Sequence, residues 1–315
     1  MVFRKLTLHQ ICSMFENGES VESYYGWFCG GTSNLISDVV DRITLSNDTN
    51  NATDRCNISV ARFQVSGFTD LTYGWIGGGI LESELNSNTI DRITLAGDIA
   101  NALDRCNLTV GRYATTSFTD NVYGWFGGGF ISTYSNVIDR IELADDTTDA
   151  IDRCNLTVAR RYAAAFGNST YGWFGGGYNG SILDIIDRIT LADDTINAID
   201  RCILNIWRYG LAGFTDLTHG WFGGGDYTLP TDIIDRITLA DDTTNAIDRC
   251  DLSTVRYQMA AFTNLNYGWF GGGYSTTYSN VIDRITLSND TTNAIDRCDL
   301  SIARYGLAGF SNRRQ

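Results

Sequence analysis

The chain is predicted to be all-β, a propeller of six four-stranded blades, on three observations. A tryptophan recurs at Trp27, Trp75, Trp125, Trp173, Trp221 and Trp269, at intervals of 48, 50, 48, 48 and 48 residues. A cysteine keeps the same step at Cys56, Cys106, Cys154, Cys202, Cys250 and Cys298. Between these markers each unit reads as short alternating segments broken by Gly, Asp, Asn and Thr, with no helical period. Four-stranded units of this length, each with a glycine and an aromatic signal, have the pattern of propeller blades.

Within a unit, "YGWFGGG" (171–177) sets Tyr and Trp on one face and Gly and Phe on the other. Its glycine run ends a strand where the backbone needs a positive φ or a close approach to a neighbour. The segments "NVIDRITL" and "NAIDRCDL" alternate around β-branched residues, and "ADDTTNA" joins them as a turn whose Asp, Thr and Asn side chains bond nearby backbone. A fourth strand is expected in "ARYGLAGF" (303–310). The first unit begins at its second strand, "YYGWFCGG", and the chain ends just after a first strand, so the leftovers complete one blade. Closure by strand pairing removes exposed sheet edges. The expected organisation is an arm (1–24), the ring (25–310) and a tail (311–315).

The order of an Arg-Tyr strand, a Tyr strand closed by glycines, a variable loop, "VIDRI", "DDTTN" and a final strand resembles the kelch repeat. More closely, "YGWFGGG…VIDRITLADDTTNA…LSIARYGLAGF" is similar to tandem repeats of structural proteins of marine bacteriophages, over residues 25 to 310. It departs from typical kelch repeats where the late-blade Trp is replaced by Ile-Asp-Arg-Cys. The resemblance implies a non-enzymatic virion protein, a fibre, spike or decoration in an oligomeric assembly, that binds other virion or scaffold proteins or a host-surface glycan. The alternatives are an intracellular, cytoplasmic kelch-type adaptor and a glycan-processing propeller enzyme.

Composition narrows the classes further. No apolar run approaches 18 residues, so a membrane-spanning helix is not expected. The opening "MVFRKLTLHQICSMFENGES" lacks the apolar stretch of a signal peptide. A formal charge of -14 argues against a nucleic-acid partner, which requires clustered cations. Equivalent cysteines of neighbouring units stand a blade-width apart, so buried free thiols are expected rather than disulfides. With no CxxC and only His9 and His219, no metal site or cofactor is indicated. "DDTTD" and "DDTTN" lack the glycine and distal Glu of a helical calcium loop and read as turns.

Among the basic residues Lys5 is the single lysine against 22 arginines, 18 of which recur at three positions per unit. A planar guanidinium forks onto a carboxylate in a confined space, which predicts an inter-blade ladder such as Asp139 and Arg140 with Asp187 and Arg188, beside the structural Trp125 and Trp173. Catalysis needs one asymmetric constellation, whereas nearly every polar residue here recurs sixfold. His219, which replaces the Tyr of one "YGW", reads as a tolerated aromatic substitute. What differs between units is the loop after each glycine run, rich in Tyr, Ser, Thr and Asn. On these loops Phe130, Tyr134, Tyr178, Tyr227, Tyr274 and Tyr278 are the candidate binding residues. In the arm, Phe3, Leu6, Leu8, Ile11, Met14 and Phe15 give an incomplete helical face, read as an attachment segment.

Overall fold

The computed structural model describes residues 24–264 and 266–312. The attachment residues Phe3, Leu6, Leu8, Ile11, Met14 and Phe15 lie outside them. Six four-stranded antiparallel sheets form the propeller. Blade 2 runs from its inner strand Ser66–Thr69 through Tyr73–Gly77 and Thr89–Thr94 to the outer strand Leu103–Asn107. Blades 3 to 6 repeat this order from inner strands Thr116–Thr119, Ala164–Gly167, Ala212–Thr215 and Ala260–Thr263. Blade 1 instead takes its inner strand from the far end of the chain, where Ala308–Ser311 pairs with Tyr25–Cys29. The inner strands touch in cyclic order, so the ring is closed. No helix of the described residues is long and apolar enough to cross a membrane.

The two faces of the second strand serve two neighbours. Each repeated Trp is fully buried and stacks on the Phe of its own inner strand, as Phe118 does on Trp125 with 6.1 Å between ring centroids. Its strand neighbour, Phe126 in this blade, points the other way, and a Cβ built at Gly77 of the preceding blade would overlap that ring. The same pairing recurs as Gly127 with Phe174, Gly175 with Phe222, Gly223 with Phe270 and Gly271 with Phe28. One interface departs from the pattern at both partners: Cys29 stands in place of the glycine and Ile76 in place of the Phe, and the two share one buried cluster. The smaller Ile76 leaves the volume that the cysteine side chain fills.

The connection from third to outer strand is tighter than a plain turn. In five blades it opens with a single 3-10 turn, as at Leu95–Gly97 or Leu239–Asp241. That turn directs one aspartate back onto the preceding blade, where it takes two arginines. Asp98 accepts from Arg42 and Arg55 at 3.1 and 3.0 Å, and Asp242 from Arg188 and Arg201 at 3.0 and 2.7 Å. Asp48 of blade 1 holds Arg284 and Arg297 of blade 6, which fastens the ring at its closure. The final Asn and Ala of the turn grip the same neighbour: Asn197 Oδ1 accepts from Asn155 N at 3.0 Å, and Ala198 N donates to Asn155 O at 2.9 Å.

The pairing therefore differs from the expected ladder. Strand alternation sends Asp139 and Arg140 to opposite faces, so they cannot join one ladder. Arg140 meets Asp194 of the next blade and lies over the Tyr123 ring at 4.0 Å. Asp139 pairs inside its own blade with the fully buried Arg112, 3.1 Å away. Asp187 and Arg188 divide in the same way between Arg160 and Asp242.

The segment "ARYGLAGF" is a strand only over its last residues, because the residue after Arg-Tyr turns the chain through a positive φ. This holds in every blade: Gln64, Ala114, Tyr162, Gly210, Gln258 and Gly306 have φ between 52° and 67°. The turn aligns six backbone groups into a closed cycle around the axis. Gln64 N donates to Gly306 O, Gly306 N to Gln258 O, Gln258 N to Gly210 O, Gly210 N to Tyr162 O, Tyr162 N to Ala114 O, and Ala114 N to Gln64 O, over 2.5 to 3.0 Å. Across the axis Gln64 Nε2 donates to Tyr162 Oη at 2.6 Å and to Gln258 Oε1 at 3.4 Å.

Two outcomes follow from this packing. Ile76→Phe alone should overpack the interface of blades 1 and 2 and cost about 1–3 kcal/mol, and Cys29→Gly alone should cost less. The double variant should melt closer to the wild-type temperature than Ile76→Phe does, and strictly additive losses would show that the two positions do not share space. Deleting residues 301–315 removes Arg304, one link of the cycle and an inner strand. The truncated chain should aggregate or lose its single cooperative melt, whereas a soluble form with an unchanged melting curve would exclude closure by this segment.

Candidate functional site

Most of the chemistry carried by the repeat is consumed in holding the ring. Eighteen arginines contact carboxylates, and six of them, including Arg160 and Arg208, are buried with their aspartates in the blade interior. Arg160 also donates to Phe174 O at 3.1 Å, and Asp187 accepts from Thr157 N and Oγ1, so the charges are hydrogen-bonded on several sides. Removing one partner of such a pair costs about 3–5 kcal/mol, because a charge is left buried alone. Trp173 Nε1 donates to Asp242 Oδ2 at 2.9 Å, while Trp125 Nε1 has no hydrogen-bond partner among the described residues.

The described cysteines are sealed inside. Burial pushes the thiols of Cys106, Cys154, Cys202, Cys250 and Cys298 up to about 12, and each is free. Such thiols carry no thiolate reactivity at neutral pH. In the "DDTTD" turn Asp145 accepts from Thr147 and Thr148 and is held below the ordinary carboxylate range by them. His219 sits edge-on to Trp221 at 6.2 Å and shares a 2.9 Å hydrogen bond with Thr218 Oγ1.

The face that carries the variable loops is different in kind. The loops after the glycine runs pair with the Arg-Tyr connections between blades: Phe130 bridges to Tyr113, Tyr178 to Arg161 and Tyr274 to Tyr257. An aromatic belt follows around the hydrogen-bonded cycle. From Phe63 it passes to Tyr305, then Tyr274 and Tyr278, Tyr257, Tyr209, Tyr178, Tyr134, Phe130 and Tyr113, with successive centroids 5.2 to 6.2 Å apart. All of these rings are half-buried. Burial pushes Tyr257 up to about 12, so the belt hydroxyl there is protonated across the physiological range. Outside the belt the loop tips expose Leu35, Leu85 and Leu229 by 76, 65 and 70%.

Five of the six loop residues singled out from the sequence, Phe130, Tyr134, Tyr178, Tyr274 and Tyr278, come together in this belt. Tyr227 does not join it. The position equivalent to Phe130 and Tyr178 is Asp226, which pairs with Tyr209, and Tyr227 lies one residue further on, in the bend of the loop. Burial raises the Asp226 carboxyl above its ordinary value. Sequence reading missed Phe63, Tyr113, Tyr209, Tyr257 and Tyr305, which precede the turn residues of the axial cycle. It also missed Arg161, which occupies the same position in blade 4. The signal was present as "RRY" where the other units carry Arg-Tyr or Arg-Phe.

On the opposite side a cavity of about 560 Å³ lies on the axis, lined by the inner strands and the turns after them, including Phe118, Asp120, Asn168 and Leu217. The Gln64, Tyr162 and Gln258 side chains that meet across the axis are not among its lining residues.

The electrostatics of the outer strands allow one test. Asp200 faces Asp187 across the strand pair, and burial, followed by the charges of Asp187 and Asp184, raises its carboxyl against the pull of Arg160. A raised carboxyl destabilises the fold once ionised: the penalty is absent below the unfolded pKa, grows as pH rises and is complete above the folded pKa. Asp200→Asn should therefore raise the melting temperature at pH 7, with the gain vanishing at about pH 3. An equal gain at both pH values would assign the effect to packing instead.

No protein-family model matches the chain, and no curated protein matches its sequence.

Proposed function

We propose that the propeller is a non-catalytic docking module whose variable-loop face seats a protein partner. The observation that carries this reading is the run of ring contacts from Phe63 round to Tyr113, with Leu35, Leu85 and Leu229 exposed on loops of the same face. Tyr and Trp dominate binding energy at protein interfaces because they supply large contact area for few lost rotamers, and an apolar centre with little charge is the usual composition of an interface core. The repeated polar residues are engaged between and within blades, which leaves them unsuited to a single reacting constellation. The setting follows from the repeat resemblance: a structural protein of a virion, as fibre, spike or decoration, docking on another virion protein.

The test is chemical protection of tyrosines. Iodination of the isolated chain should modify Tyr134, Tyr178 and Tyr278, and the same residues should be protected when the chain is part of purified particles. Equal labelling in both states would remove the belt from the contact. Absence of the chain from particles would overturn the virion setting alone, and protection removed by free saccharide would replace the protein partner with a host-surface glycan.

A further inference from the structure

We propose that Arg161 receives a carboxylate of the docked protein, an Asp or Glu side chain set among apolar residues. The inference rests on the docking reading of the same face and adds what that face selects.

In five blades the residue after the buried arginine is an aromatic member of the belt; in blade 4 it is Arg161. The other described arginines each contact a carboxylate, yet Arg161 contacts none, in a chain of formal charge -14 where acidic residues are in excess. Aromatic rings surround it instead. Its guanidinium carbon lies 4.9 Å from the centroids of Phe130 and Tyr162, 5.7 Å from Tyr113 and 5.8 Å from Tyr134 and Tyr178. Ring faces hold a guanidinium by its charge and leave its in-plane N–H groups available.

Those groups are only partly used. Nη1 donates to Tyr113 Oη at 2.7 Å, and Nε is sealed without a partner. Nη2 has no hydrogen-bond partner among the described residues and, unlike Nε, is not sealed from solvent. A cation fixed by rings, with one arm of its fork open, is matched by a carboxylate oxygen from outside. The carboxylate on the same belt, Asp226, is paired through its backbone with Tyr209 and makes no ion pair with Arg161.

The surroundings favour a protein over an acidic saccharide as the source of that carboxylate. Trp207 is 54% exposed, and the next residue, Arg208, donates its N–H to Leu183 O at 3.1 Å, one residue past Ile182, the strand partner of the belt residue Tyr178. Around the cation itself, Tyr113, Phe130, Tyr134, Tyr162 and Tyr178 make an aromatic setting broader than one sugar ring covers.

The experiment selects a displayed library of random linear peptides on the full chain and compares the wild type with Arg161→Gln and Arg161→Lys. Enriched peptides should carry Asp or Glu beside an aliphatic or aromatic residue. Arg161→Gln should weaken them roughly ten- to hundredfold, with Arg161→Lys in between. Replacing the peptide's acid by its amide should cost as much on the wild type and nothing further on Arg161→Gln. Peptides without an acidic preference that Tyr134→Ser still abolishes would overturn the Arg161 assignment and leave the docking face standing. Equal weakening of acidic and neutral peptides by Arg161→Gln, together with a lowered melting temperature, would make Arg161 a brace for the rings and sink the proposal. Failure to enrich any peptide, with Arg161-dependent binding of carboxylated glycans on an array, would overturn the protein partner and the docking reading together.

Discussion

The close approach of one blade to the next is made possible by aromatic rings laid on bare glycine backbone. A Phe from one second strand rests on a glycine of the preceding blade, and an inner-strand Phe rests on the glycine of the following blade's "YGW", as Phe118 does on Gly172. Any side chain at these glycines would push the sheets apart and leave the rings without half of their contacts. The recurrent "YGWFGGG" is therefore an interface motif written into a strand. Its glycines forgo strand propensity so that its aromatics can be buried twice, once within the blade and once between blades.

Ionic contacts build on that spacing. Once the sheets stand this close, an arginine from the third strand and another from the outer strand converge on one aspartate of the next blade's turn. Tyr123 and its equivalents Tyr25, Tyr73, Tyr171 and Tyr267 lie under those third-strand guanidinium groups at 4.0 to 4.1 Å. The absence of lysine from the repeats follows, because a compact ammonium matches neither the flat ring below nor the two-pronged carboxylate beside it. With sixfold chemistry absorbed in this way, the residues that break the symmetry become informative: Arg161, Tyr162 and Asp226 stand at or beside belt positions of blades 4 and 5.

Blade number, strand order and the phase of closure were legible from spacing alone, since a tandem repeat prints the same local rule six times. The pairings were less legible, because Asp139 and Arg140 are adjacent in sequence and opposite in space, a separation visible only once the strand faces are assigned to different neighbours. The belt was half legible. Variable loops pointed to Phe130 and Tyr134, but Tyr209 and Tyr305 sit in a repeated phrase and read as ordinary strand residues until the positive φ after them turns their rings outward. Tyr227 shows the cost of a one-residue slip in aligning the loops: the belt position of its blade is Asp226.

The axial cycle of six backbone hydrogen bonds has a consequence for how such a chain can change in length. Units of 48 or 50 residues meet through one repeated interface, so that interface chemistry alone does not name the number of copies. A cycle of peptide groups is less tolerant. Every N–H in it points the same way around the axis to the carbonyl of the preceding unit, so the loop has a fixed circumference and no free end. A seventh unit would widen that circle and open the angle at every link at once. The cycle thus acts as a counter: it makes six the number at which all the axial donors and acceptors are satisfied, and it sets a cost on each expansion or contraction of the repeat that the blade interfaces alone would not impose.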